Sequence, residues 1–80
     1  MTMSKAEISA SILASRVWFT KDMLYVQLKD GRKIGVPLLW FPRLRKASEE
    51  QLKDWRLIGN GVGIHWDSIG EDISVSALLK

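Results

Sequence analysis

The sequence predicts an α+β domain: an antiparallel β-meander with one main helix packed on the sheet, followed by two short strands. Three observations carry that expectation. Residues 24–28 and 34–38 alternate aliphatic with other side chains at a period of two. Ser48 with Gln51 forms a capping-box pattern ahead of an apolar spacing of three at Leu52, Trp55 and Ile58. Gly59, Asn60 and Gly61 then turn the chain into a further alternating run of Val62, Ile64 and Trp66.

Taken in order, residues 1–14 read as an N-terminal extension, with a helical reading over residues 4–13 from Ile8, Ile12 and Leu13. Residues 15–80 read as the single domain. Val17 and Phe19 open the first strand, Leu24, Val26 and Leu28 form the second, and Ile34, Val36 and Leu38 form the third. The register follows from the requirement that cross-strand partners share a face. A two-residue turn at Asp30 and Gly31 would pair Val26 with Gly35 and mix the faces. A three-residue loop of Lys29, Asp30 and Gly31 pairs Val26 with Ile34 and Leu24 with Val36, and places Gly31 where a bulge wants a left-handed residue. The first hairpin then pairs Phe19 with Leu24, Val17 with Val26, and Trp18 with Tyr25 on the opposite face.

Pro37 ends the ladder because it has no N–H to donate. Residues 38–44, with Pro42 inside, read as a bend or short helical turn. Residues 48–58 are expected to form the main helix, with Glu49 and Glu50 at the positive end of its dipole and Gly59 as terminator. A fourth strand spans Val62, Ile64 and Trp66, and a fifth spans Ile73 and Val75. Ala77, Leu78 and Leu79 close the chain as a helical turn.

Composition narrows the chemistry. The chain has 80 residues, no cysteine and one histidine, which excludes a disulfide scaffold, a cysteine zinc site and a His-rich metal site in one chain. The hydrophobic fraction of 46% is too high for a disordered segment. No apolar run reaches the roughly 18 residues of a bilayer span, and the first residues lack a basic stretch followed by an apolar one, so a cytoplasmic location is expected. The net charge of +3 is polarised: residues 16–46 carry eight basic residues and two acids, residues 47–80 three basic residues and six acids. A surface divided in this way suits a protein partner of matching polarity as well as a phosphate backbone.

The candidate chemistry reduces to a few residues. His65 is a general base only if Asp67, Glu71 or Asp72 orients it, and no cysteine or serine-elbow nucleophile accompanies it. The carboxylates of Asp67, Glu71 and Asp72 match no calcium-loop spacing. The glycines at 59, 61 and 63 leave a helix and enter a strand, the reverse of a phosphate loop. Arg43, Arg45 and Lys46 beside Trp40 and Phe41 form a basic–aromatic cluster, a composition suited to a protein hot spot or to stacked bases. No catalytic residue, metal or cofactor is assigned.

Three stretches together carry a resemblance. They are Asp30-Gly31-Arg32 with Val36-Pro37-Leu38 and Trp40-Phe41-Pro42-Arg43-Leu44; Ala47-Ser48-Glu49-Glu50-Gln51 with Trp55; and Ile58-Gly59 with Gly61-Val62-Gly63-Ile64-His65-Trp66 and Glu71-Asp72-Ile73-Ser74-Val75. In this order and spacing, residues 15–79 resemble the domain-of-unknown-function family 2442. The resemblance implies a small bacterial α+β protein. Some relatives are encoded beside a small partner of another uncharacterised family (number 4160), in an arrangement like a toxin–antitoxin pair. It supplies no catalytic residues. Gly70 stands where the family pattern has an acidic residue, which weakens an acidic-cluster metal site further.

The expectation is therefore a non-enzymatic module resembling an antitoxin, which masks a protein partner, with a cognate toxin from an adjacent gene as the candidate. Its binding residues would be Trp40, Phe41, Arg43, Arg45 and Lys46, with His65 and Asp67 from the following loop. One alternative is a nucleic-acid-binding regulator using Arg16, Lys33, Arg43 and Arg45. Another is a phage or mobile-element inhibitor of a defence complex.

Overall fold

The structure is a computed structural model and describes residues 12–79. The helical reading of residues 4–13 therefore falls almost wholly outside the described residues. The chain forms two three-stranded antiparallel sheets joined by two short helices. Sheet one contains β1 (Ala14–Phe19), β2 (Met23–Leu28) and β3 (Lys33–Pro37), in that order. Sheet two contains β4 (Trp55–Ile58), β5 (Gly63–Trp66) and β6 (Glu71–Ser74), also in sequence order. Between them lie a 3-10 turn (Leu38–Trp40), α1 (Pro42–Lys46) and α2 (Glu49–Lys53). A 3-10 turn (Gly59–Gly61) joins β4 to β5, and another (Val75–Leu79) ends the described chain.

The α+β class holds, but the single meander with one main helix does not. Sheet one has the expected register at the pairs the sequence named: Phe19 faces Leu24, Val17 faces Val26, Leu24 faces Val36 and Val26 faces Ile34, while a bulge between Ala14 and Arg16 shifts the start of β1 to pair Ala14 with Leu28. The loop between β2 and β3 is closed by the Leu28 N–H donating to the Arg32 carbonyl at 2.7 Å, and Gly31 takes the left-handed conformation at φ 97°. The helix expected over residues 48–58 is the element that fails. Its capping box is present: the Gln51 N–H donates to Ser48 Oγ at 3.2 Å and the Ser48 N–H to Gln51 Oε1 at 3.0 Å. Yet the helix stops at Lys53, and residues 55–58 become β4.

The physical reason is a partner far along the chain. In β4, Trp55 faces Trp66 and Leu57 faces Ile64, so Trp55 and Leu57 join the core side of sheet two. Strand pairing partly buries Leu57, which a helix with a Leu52, Trp55 and Ile58 stripe would have turned away from the core. Pro42 fits the short helical turn expected over residues 38–44. It sits at the first position of α1, where a missing N–H costs nothing and its φ suits a helix.

Both sheets contribute to one core. Val17, Leu24, Val26, Leu28 and Val36 from sheet one meet Ile64, Trp66 and Ile73 from sheet two, with Leu44 of α1 and Leu78 of the last turn closing the ends. Phe19 meets Trp66 edge-on with ring centroids 6.2 Å apart. Gly61, at φ 105°, lets the β4–β5 connection approach β1 closely: a Cβ there would lie 2.5 Å from the Ala14 carbonyl oxygen.

Candidate partner-binding site

The turn after β3 is built to display two apolar side chains. Pro37 ends the ladder in an extended conformation, and the Phe41 N–H returns to the Leu38 carbonyl at 2.9 Å, closing the 3-10 turn. Leu38 and Leu44 anchor the segment in the core at either end. Leu39 and Trp40, held between them, are 64% and 56% exposed. Phe41 is half-buried and packs on the core, so of the expected aromatic pair Trp40 is the free one. Trp55 is half-buried and Trp66 fully buried, both with the core.

The cations of α1 surround this turn. Arg43, Arg45 and Lys46 are all exposed. Arg43 Nη1 donates to the Gly70 carbonyl at 3.3 Å, tying α1 to the β5–β6 connection. Arg45 and Lys46 lie with Leu39 on the opposite side. Trp40 and Phe41 instead border a shallow depression of about 370 Å³ along β6, with Glu71 and Asp72 on its rim. Leu39 and Trp40 thus stand between a basic side and an acidic side.

His65 and Asp67 belong to a ladder on the outer face of sheet two. The strand register places Arg56, His65 and Asp72 side by side across β4, β5 and β6. His65 Nδ1 bonds to Asp72 Oδ1, and His65 Nε2 lies 2.8 Å from Asp67 Oδ1. Arg56 Nε donates to Asp67 Oδ2 at 3.1 Å. The Asp72 hydrogen bond, helped by the charges of both aspartates, raises the His65 pKa above its ordinary value. The Arg56 hydrogen bond leads in lowering that of Asp67. Both ring nitrogens of His65 face carboxylates, so the ring bridges Asp67 and Asp72 and presents no free nitrogen to a substrate. Among the described residues no cluster of three His, Cys, Asp or Glu side chains is placed to hold a metal ion.

The residues expected for nucleic acid divide into two groups. Arg16 and Lys33 flank Gln27 on the outer face of sheet one. There the Arg16 guanidinium lies 4.9 Å from the Trp18 ring, and Trp18 stacks on Tyr25 with centroids 5.7 Å apart. Tyr25 in turn leans over Gly35, where a Cβ would meet its ring at 2.7 Å. Arg43 and Arg45 lie elsewhere, on α1.

Sequence reasoning missed Leu39 and Arg56. Leu39 carried no signal beyond its place in an apolar run, and Arg56 was hidden by assigning its segment to a helix. No helix of the described residues is long and apolar enough to cross a membrane.

The comparisons agree with this architecture. The family described as "Protein of unknown function (DUF2442)" matches residues 14–80. A crystal structure of a protein of unknown function from Rhodospirillum rubrum ATCC 11170 is similar with a TM-score of 0.73 and 26% identity, covering 84% of this chain and 83% of that one. No curated protein matches.

Proposed function

Because this chain belongs to the DUF2442 family, we propose for it the role of a non-enzymatic binding module that masks a protein partner, in the manner of an antitoxin. The observation that carries the reading is the adjacent exposure of Leu39 and Trp40 on a turn pinned into the core on both sides. A rigid exposed tryptophan beside an exposed leucine provides apolar contact area at little entropic cost, and arginines at the rim add orientation. Arg43, Arg45 and Lys46 supply that rim on α1, and Asp67 with His65 extends the polar border across sheet two. The partner is a small protein encoded beside this one, inhibited by occlusion of its working surface. Co-expression with the adjacent gene product tests the proposal. A stable complex and rescue of growth support it; no complex and no rescue overturn it.

A second reading is favoured by one observation, the stack of Arg16, Trp18 and Tyr25 with Lys33 on the same sheet face. Half-buried aromatics on a sheet face with flanking cations suit single-stranded nucleic acid. Binding of an oligonucleotide that weakens steeply with salt and quenches tryptophan fluorescence would support it. Absence of binding at low salt would remove it.

A further inference from the structure

A groove of about 630 Å³ runs along the outer edge of β1 and is faced by α2 and the start of β4. Its walls combine three features that belong together. The first is an unpaired strand edge. The Thr20 N–H donates to the Met23 carbonyl at 3.0 Å, which fixes the parity of the β1–β2 ladder. Thr20, Trp18 and Arg16 therefore bond toward β2, while the N–H and C=O groups of Val17 and Phe19 point away from it. β1 is the edge strand of sheet one, and among the described residues no backbone partner lies on its far side.

The second feature is an apolar floor. Phe19, Leu52 and Trp55 pack on the core but are not fully buried, so their outer surfaces line the groove. The third is charge. Lys21, Arg45 and Lys53 border the groove against the single carboxylate of Glu49.

We propose that this groove seats an extended acidic segment of a partner protein, which adds to β1 as a new edge strand. The unpaired backbone groups of Val17 and Phe19, which line the groove, supply the main-chain hydrogen bonds. Alternate side chains of the segment fill the apolar floor, and the acidic ones between them reach Lys21, Arg45 and Lys53. An unpaired edge explains the extended form, and three cations against one carboxylate explain the acidity. The proposal rests on the groove and is independent of the exposed turn at Leu39 and Trp40.

The test uses a short labelled peptide of alternating aspartate and valine. Its controls are a lysine–valine peptide and an aspartate–valine peptide N-methylated at alternate residues. Binding to the full chain is followed by anisotropy, and amide hydrogen exchange is read residue by residue. The acidic peptide should bind, more weakly as salt is raised, and should slow exchange at Val17 and Phe19. The N-methylated peptide should not bind. Arg45→Glu with Lys53→Glu, both at exposed positions, should weaken binding by about tenfold or more. Arg32→Glu, a charge reversal in the β2–β3 loop, should leave it unchanged. Four results overturn the proposal: no binding, equal binding of the lysine peptide, binding without change at the Val17 and Phe19 amides, or preference for a single-stranded oligonucleotide.

Discussion

The indole N–H of Trp66 donates to the Leu52 carbonyl at 3.0 Å. Leu52 lies in the last turn of α2, where carbonyls have no partner within the helix. A buried strand residue thus caps the end of a helix through a carbonyl fourteen residues earlier in the chain. Trp66→Phe leaves that carbonyl without its donor and a small void beside Phe19. The expected loss is about 2–4 kcal/mol of stability in urea unfolding. A loss below about 0.5 kcal/mol would show that the bond does not hold the α2–β4 junction.

Gly31 and Gly61 separate conformational strain from crowding. Both have positive φ, but a Cβ at Gly31 meets nothing within 4 Å, whereas one at Gly61 meets the Ala14 carbonyl at 2.5 Å. Gly31→Ala should cost about 1–2 kcal/mol, the penalty for a side chain in the left-handed region. Gly61→Ala should cost about 3 kcal/mol or more, since the two sheets must also separate. Thermal unfolding of the two variants checks the order. Equal losses would show that the Ala14 contact yields freely.

The His65 ladder predicts a pH dependence. The folded chain holds the His65 proton more tightly than the unfolded chain, whose value is near 6.5. The stabilisation is therefore complete below that value and is lost as pH rises through the higher folded pKa. Asp67 works in the other direction. Its contribution is present above its ordinary 3.8 and is lost as pH falls through the lower folded value. The ladder stabilises most between the two. His65→Gln should remove the fall in melting temperature as pH rises above the ordinary histidine value of 6.5. Superimposable profiles for the two proteins would contradict the arrangement.

Much of sheet one was legible in the sequence because its information is local. Strict alternation at Leu24, Val26 and Leu28 against Ile34 and Val36 leaves one register that keeps the aliphatics together, and Gly31 supplies the loop that register needs. The Ser48 and Gln51 box was legible for the same reason. The end of its helix was not, because the stop depends on Trp66 and on strand pairing of Trp55 and Leu57 with residues beyond the next turn. The division into two sheets rests on long-range contacts such as Gly61 against Ala14, which no periodicity records. At the candidate site, Trp40 could be read from the basic–aromatic run it sits in, and the set of carboxylates near His65 from their closeness in sequence, of which Asp67 and Asp72 are the ones that pair. Leu39 and Arg56 could not, since one depends on the orientation of a 3-10 turn and the other on a strand taken for a helix.

The central claim is that Leu39 and Trp40 form a partner-binding surface and not part of the core. The most direct measurement is the affinity of the adjacent gene product for the wild-type chain and for Leu39→Ser with Trp40→Ser, alongside the stability of both. Because these side chains are more than half exposed, stability should change by no more than about 0.5 kcal/mol. Affinity should fall by about a hundredfold, as for a hot-spot pair. Unchanged affinity with intact folding, or unfolding of the variant, would contradict the account.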